Sequence, residues 1–362
     1  MSSEEVAEFY NNLAGQNVEE RKFSRIVYLR SFNNWIKSMM IQEACETMKD
    51  PTEASILDLC CGKGGDMFKW QRADVSEVLF VDIAQKSMEE CQDRYYKSRT
   101  KNSGYPQFGV HFIVMDVTED DLVQKLPRKM QCEVVSCQFA LHYAFRSEKH
   151  LRRVLWNVSN CLKTGGEFIG TIADGEKIVS YLRRTPNGIF QNEVVKIEYL
   201  EPNITNWANL TPPLFGAKIL FNLDTQVNCP EYLAYLPLLE EIAKEFKLEL
   251  KVMIAKEFKL ELKVMCTFPE AIERYNKIDQ RVLLSKMKAL EEYPVEDDRL
   301  SNVRETLVGH KKFKEEYEHV EKERKKILSS GDRKIQSCIG TLSKSEWETI
   351  NMYSMFIFRK KA

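Results

Sequence analysis

The stretch Ser55–Asp66, S-I-L-D-L-C-C-G-K-G-G-D, constrains the fold more than any other part of this 362-residue chain. A short apolar run, Ile56–Leu59, is interrupted by Asp58 and ends in a turn of small residues, after which Lys69 and Trp70 fall on an expected helix. A buried strand, a glycine turn and a helix N-terminus are the parts of a nucleotide-type site. Gly62, Gly64 and Gly65 let the backbone approach a ligand with no Cβ in the way. The spacing departs from the dinucleotide pattern G-x-G-x-x-G. A second buried strand, V-L-F-V-D-I-A from Val78, ends in Asp82, and the separation from Asp58 suits a βαβ unit. An acid at that strand end can accept hydrogen bonds from both hydroxyls of a ribose. The competing reading makes Asp82 the cap of the next helix.

Two further strands repeat the arrangement. Val110–Met115 leads into Asp116, and C-E-V-V-S-C-Q-F-A-L-H-Y leads into Gln138, His142 and Tyr143. Polar groups at the carboxyl ends of successive strands mark a cleft, because ligands bind there in open α/β sheets. Upstream, the run from Arg25 reads as a helix with Leu29, Phe32, Ile36, Met39 and Met40 on its apolar face. Asn33 and Lys37, four apart, share a neighbouring face. After Asp82 a helix turns Met88, Cys91 and Tyr95 inward and also carries Arg94. A helix over 148–162 follows, with Gly165-Gly166 expected as its C-cap before a fifth strand. Residues 175–230 alternate in short runs, which predicts a β-hairpin insertion over the cleft. Pro230–Phe246 reads as a helix, and N-M-Y-S-M-F-I-F-R-K gives a last strand. The polar residues 1–20 are expected to be a flexible segment, and the charged run 309–327 a solvated helix or loop. The fold class is α/β, a Rossmann-like sheet with helices on both faces and a small insertion.

A formal net charge of −1 supplies no global attraction for nucleic acid, so any RNA contact must rest on a local patch. The ten cysteines form no C-x-x-C pairs, so they read as free thiols in a reducing compartment, with no zinc or other metal. No apolar run reaches membrane-spanning length, and a soluble, intracellular protein without membrane contact is expected. One feature fits no fold rule. I-A-K-E-F-K-L-E-L-K-V-M occurs twice in tandem, at 242–253 and 254–265. Two short copies are not a solenoid. The first I-A-K-E-F is expected to finish a helix and the second K-L-E-L-K-V-M to enter the sheet, extruding about 247–258.

The glycine turn also fits the looser D/E-x-G-x-G-x-G pattern of S-adenosylmethionine methyltransferases, with Cys60 at the first glycine. Along nearly its whole length the chain resembles the eukaryotic mRNA cap guanine-N7 methyltransferases. The matching runs include S-R-I-V-Y-L-R-S-F-N-N-W-I-K (24–37), L-D-L-C-C-G-K-G-G-D (57–66), S-C-Q-F-A-L-H-Y (136–143), P-E-Y-L (230–233) and G-T-L-S-K-S-E-W-E (340–348). F-N-N-W-x-K and C-Q-F-x-x-H-Y are specific to that family. The resemblance implies a seven-stranded methyltransferase sheet in a domain over 21–362, S-adenosylmethionine as donor, the guanine of a 5′-capped RNA as acceptor, and a nuclear location. It implies cofactor contacts from Lys37, the turn at Cys60–Gly62, Asp82, Asp116, Gln138 and Tyr143. Cap contacts are implied for Asn33, Asn34, Lys63, Lys69, Arg94, His142, Glu231 and Tyr353, with His142 and Glu231 orienting the base and no residue acting as acid or base. Animal members of the family bind a small activating subunit. Cys60, Ala173-Asp174 (where relatives tend to have Pro-Asn) and the duplication depart from the pattern. They motivate a second reading, a paralogue that binds cap or cofactor with weak or no turnover.

Overall fold

The computed structural model describes residues 3–12, 24–100, 107–126, 130–201, 204, 206–224, 227–255, 260–294, 313–329 and 339–362. Parallel strands β1 (Ser55–Leu59), β2 (Glu77–Asp82), β3 (Gly109–Val114), β4 (Cys132–Gln138) and β5 (Leu162–Ala173) pair in the order β3-β2-β1-β4-β5. The order reverses between β1 and β4, so their carboxyl ends open a crevice. All five residues of β1 are buried, and its side chains alternate between two apolar layers: Ile56 joins one, Leu57 and Leu59 the other. Helix α1 spans Ser3–Asn12 and α2 spans Val27–Glu46. Leu29, Phe32, Ile36, Met39 and Met40 of α2 are buried, as its periodicity predicts. The turn after β1 leads into α3 (Met67–Arg72), β2 into α4 (Gln85–Thr100), and β4 through a 3-10 turn into α5 (Glu148–Cys161). Met88, Cys91 and Tyr95 of α4 are buried.

The insertion is more than a hairpin. Strands β6 (Ile189–Gln191), β7 (Val195–Tyr199), β8 (Lys218–Leu223) and β9 (Val227–Tyr232) form a four-stranded antiparallel sheet. Its strand β9 takes in Pro230, Glu231 and Tyr232, so the following helix, α6, begins only at Leu236 and ends at Glu245. Glu231 pairs with Ile219 and is thereby held on a sheet instead of a helix. Gly165-Gly166 is likewise not a helix cap: α5 ends at Cys161, and the glycine pair lies inside β5, where a Cβ on Gly166 would meet two carbonyl oxygens at 2.9 Å.

The expected seven strands become eight at the far edge. β10 (Leu248–Leu250) and, after a hairpin of β11 (Val252–Ala255) and β12 (Leu260–Lys263), β13 (Met265–Thr267) both pair antiparallel with the last strand. A small pair, β14 (Glu291–Tyr293) and β15 (Ile339–Thr341), precedes that last strand, β16 (Tyr353–Lys360), which pairs antiparallel with β5. The first copy of the duplication thus supplies both helix end and strand start. The extra twelve residues are 252–263, not 247–258. The charged run is helical over Glu318–Ser329 with most side chains exposed, and 309–312 lie outside the described residues.

Candidate active site

A cavity of about 780 Å³ opens at the carboxyl ends of β1, β2, β3 and β4, roofed by the lid strands β8 and β9 and flanked by α1 and α2. At its base the turn after β1 puts Cys60 at φ 53° and Gly62 at φ 52°, both left-handed. A Cβ on Gly62 would meet nothing within 4 Å, so its freedom serves the turn's path beside the cavity. Gly64 is needed for packing instead, since a Cβ there would lie 2.6 Å from the Cys91 Sγ. Asp82 fixes this turn: Gly62 N–H donates to Oδ2 at 2.8 Å and Ala84 N–H to Oδ1 at 2.8 Å. Asp82 lines the cavity, and its bond to Ala84, the residue before α4, ties it to the entry of that helix. Burial raises its pKa, and the backbone donors act against the shift.

Behind the turn lies a buried charge cluster. Asp66 accepts from Lys37 Nζ at 2.9 Å and from Lys69 Nζ at 2.6 Å. Burial alone would raise the Asp66 carboxyl, but the two ammonium groups overcome it and hold the pKa at about 2. Lys69 also donates to Asn34 Oδ1. Asp58, pushed up to about 7 by burial and then by the Asp66 charge, accepts from Trp70 Nε1 at 3.2 Å.

The upper half is aromatic and short of partners. His142 is 3% exposed and Glu231 5%; both His142 ring nitrogens lack a hydrogen bond, and Nε2 lies 3.4 Å from Glu231 Oε2. Asn33 Oδ1 and Asp116 Oδ2 are also buried without a partner. A buried polar atom left unpaired costs about 1–3 kcal/mol, so such a group of them around one cavity marks a polar ligand. Tyr353 stands edge-on to Phe139, with centroids 5.2 Å apart, and near Phe221 of the lid at 6.4 Å. Tyr143 Oη lies 3.2 Å from Cys229 Sγ on β9 and 3.0 Å from Tyr10 Oη on α1.

Of the residues expected at a site, Lys37, Cys60, Gly62, Asp82, Asp116, Gln138 and Tyr143 line this cavity, as do Asn33, Asn34, Arg94, His142, Glu231 and Tyr353. Lys63 and Lys69 do not. Lys63 pairs with Glu90 at 2.6 Å, and Lys69 lies buried behind Asn34. The Gln138 amide is spoken for by Ser136 Oγ and Thr171 Oγ1, each at 3.0 Å. Asp174 serves a structural role, capping the helix that follows it and accepting from Ser354 Oγ at 2.8 Å. Within the N-terminal segment expected to be flexible, Ser3–Asn12 is helical. That helix lines the cavity through Ser3, Val6 and Tyr10 and is pinned where Lys86 N–H donates to Asn11 Oδ1 at 2.9 Å. Residues 13–20 lie outside the described residues. Sequence reasoning also missed Asp66, Arg146 and the aromatic pair Phe139 and Phe221. The alternation of the run 217–223 was the one available signal for Phe221.

The profile of the mRNA (guanine-N(7))-methyltransferase domain matches residues 1–361. The chain belongs to the mRNA (guanine-N(7))-methyltransferase family. Within that family, the mRNA cap guanine-N(7) methyltransferase of Caenorhabditis elegans is 41% identical over 366 residues, covering 100% of this chain and 88% of that protein. The Drosophila melanogaster protein of the same name is 34% identical over 365 residues, covering 98% of this chain and 76% of its own. Among solved structures, magnesium protoporphyrin IX methyltransferase (ChlM) from Synechocystis PCC 6803 with bound SAH aligns at a TM-score of 0.42 and 12% identity, over 70% of this chain and 92% of that one. Membership in the mRNA (guanine-N(7))-methyltransferase family makes S-adenosylmethionine the cofactor, and the residues fit it. The unpartnered Asp116 Oδ2 suits the amine of adenine, and the open face of Gly62 beside Asp82 leaves room for a ribose. Among the described residues no helix is long and apolar enough to cross a membrane.

Proposed function

We propose that this chain transfers the methyl group of S-adenosylmethionine to N7 of the guanine cap on 5′-capped pre-mRNA. The observation that carries the reading is the buried pair His142 and Glu231, which line the cavity side by side, with neither His142 ring nitrogen hydrogen-bonded. Glu231 accepts from the N1–H and 2-amino group of guanine, an edge adenine lacks, and His142 holds the base from the neighbouring side. Lys37, already paired with Asp66, and Arg94 offer charged donors on the wall proposed for the cofactor's methionine carboxylate and the triphosphate. Lys69 acts through Asn34, and Lys63 reaches the phosphates by exchanging its Glu90 partner. Asp82 takes the ribose hydroxyls, Asp116 Oδ2 the adenine amine, and Cys60, Gln138 and Tyr143 shape the wall.

Guanine N7 carries a lone pair and no proton at neutral pH, so the transfer needs no general base. When bound, S-adenosylmethionine supplies a methyl group on a sulfonium that leaves as a neutral thioether. The chain's own task is in-line placement and exclusion of water. The lid sheet and α1 meet over the cavity at Tyr143, which suits that task. The capping reaction supports a nuclear location and capped RNA as the partner, and the resemblance to animal members of the family is the one ground for a small activating subunit. The non-catalytic paralogue is disfavoured because Cys60, Asp174 and the extra hairpin leave the cavity residues assembled. Methyl transfer from labelled donor to GpppG-capped RNA, with ApppA-capped RNA as control, tests the function. Turnover on the first alone is expected, and none on either overturns it.

A further inference from the structure

The loop after β3 carries Asp116, and its shape is set from outside the cavity. Asp116 Oδ1 is consumed within the loop by the N–H of Thr118 at 2.8 Å and its Oγ1 at 2.7 Å. Only Oδ2 remains unpartnered. Asp120 N–H donates to Asp116 O at 2.9 Å inside the loop, and one buried side chain ties the rest of it to the body of the domain. Asn157 of α5 is fully buried, donates through Nδ2 to Val117 O and Asp120 O at 2.9 Å each, and accepts at Oδ1 from Leu122 N–H at 3.0 Å. These three bonds span the loop from the residue after Asp116 to the start of the next helix. A second set of ties, between Glu119 and His150 Nε2 at 2.7 Å, Lys149 Nζ at 2.9 Å and Arg146 at 3.8 Å, lies at the surface, where Glu119 is 35% exposed. Asn157 itself does not line the cavity.

From this geometry we infer that Asn157 is a positioning residue for adenine selection. It locks the 116–122 loop so that Asp116 Oδ2 is the acceptor presented to the base. The inference rests on the proposed placement of adenine at Asp116. A base that offers an amine at its six-position satisfies Oδ2; one with a carbonyl there sets two acceptors against each other. An amide that donates twice and accepts once suits two carbonyls and one N–H in the order they occur here. Neither Asp nor Leu can reproduce it. With the loop released, Asp116 can turn away from the base, and the selection is lost while Asp82 and the methyl-transfer geometry remain.

The test compares S-adenosylhomocysteine with S-inosylhomocysteine by calorimetry in the parent, Asp116→Asn, Asn157→Ala and the isosteric Asn157→Asp. Each is measured well below its own melting midpoint, and kcat is taken at saturating donor. A charge-assisted hydrogen bond predicts a parent preference for the adenosyl compound of roughly 10- to 100-fold. The expected result is collapse of that preference in Asp116→Asn and a loss of about tenfold or more of it in both Asn157 variants, with donor KM raised and kcat nearly kept. A merely structural role would lower the melting temperature and leave the ratio alone. An unchanged ratio in both Asn157 variants, beside a collapsed ratio in Asp116→Asn, overturns the inference by itself. An unchanged ratio in Asp116→Asn overturns the placement of adenine and the inference with it.

Discussion

Deleting residues 252–263 restores the chain to a single copy of the twelve-residue repeat. Because the copies are identical, deletion of any twelve-residue window within 242–265 yields the same protein, so the experiment tests the threading without choosing it. In the parent, Lys251 N–H donates to Ile357 O at 2.8 Å and Ile357 N–H donates to Val264 O at 2.9 Å. Both residues therefore stand against Ile357, and the hairpin leaves between them, closed by Val264 N–H on Lys251 O at 3.0 Å. After the deletion Lys251 runs straight into the Val264 position, and β10 and β13 become one strand with a bulge opposite Ile357. Every pairing with β16 survives. The excursion imposes a closure cost near (3/2)RT ln 12, about 2 kcal/mol. The four-pair ladder of β11 and β12 returns little of it, since an isolated two-stranded hairpin is marginal in water. The deletion should stabilise the domain by about 1–2 kcal/mol, a rise of roughly 1–3 °C in melting temperature for a chain of this length. Calorimetric melting and S-adenosylhomocysteine affinity are the assays, and affinity should be unchanged because the hairpin lies at the sheet edge remote from the cavity. A lower melting temperature, or weaker binding, would refute the reasoning by showing the hairpin to be part of the core.

Asp82→Ala removes the acceptor for the ribose hydroxyls and for the Gly62 N–H, so cofactor affinity should fall by about 3 kcal/mol or more with the fold retained; calorimetry within threefold of the parent rules the role out. Cys60→Gly relieves a left-handed backbone conformation worth about 1–2 kcal/mol against a gain in unfolded-chain freedom of somewhat less. It should melt slightly higher and bind S-adenosylhomocysteine at least as tightly, and a drop in both shows that the thiol's packing outweighs the strain. Asp58 is lifted by burial, and next by the Asp66 charge, from its ordinary 3.8 to about 7 in the folded chain. A raised acid withdraws stability as pH climbs from the unfolded to the folded value. Asp58→Asn, which keeps the acceptor for Trp70, should therefore melt higher than the parent at about pH 8 and no higher at about pH 4, and a pH-independent difference contradicts the assignment.

Much of the cleft was legible because it depends on local order. A buried run, a turn and a following helix are adjacent in sequence, and the carboxyl ends of β1, β2, β3 and β4 carry Cys60, Asp82, Asp116 and Gln138 wherever the sheet forms. Alternation and helical period likewise mark the faces of α2 and α4, since each face is buried by the same apolar residues that define the period. What the sequence left open turns on contacts between distant segments. Tyr10 meets Tyr143 across 133 residues; Val6, Phe9 and Tyr10 do fall at helical spacing, but that stripe says nothing of what the helix docks against. Glu231 lies in a run that suits a helix, and only its pairing with β8 made it a strand. Lys63 and Lys69 read as equal to Lys37 and Arg94, and only the folded positions set Lys37 and Arg94 on the cavity wall while Lys63 meets Glu90 and Lys69 lies behind Asn34. Asn157 looked like any polar residue on a helix, because its three partners belong to a loop some forty positions earlier. The duplication is the limiting case. Identical copies have identical propensities and identical periodicity, so no local rule distinguishes them. The choice was made by where a ladder with β16 could be interrupted at least loss, and that position, opposite Ile357, exists only in the folded sheet.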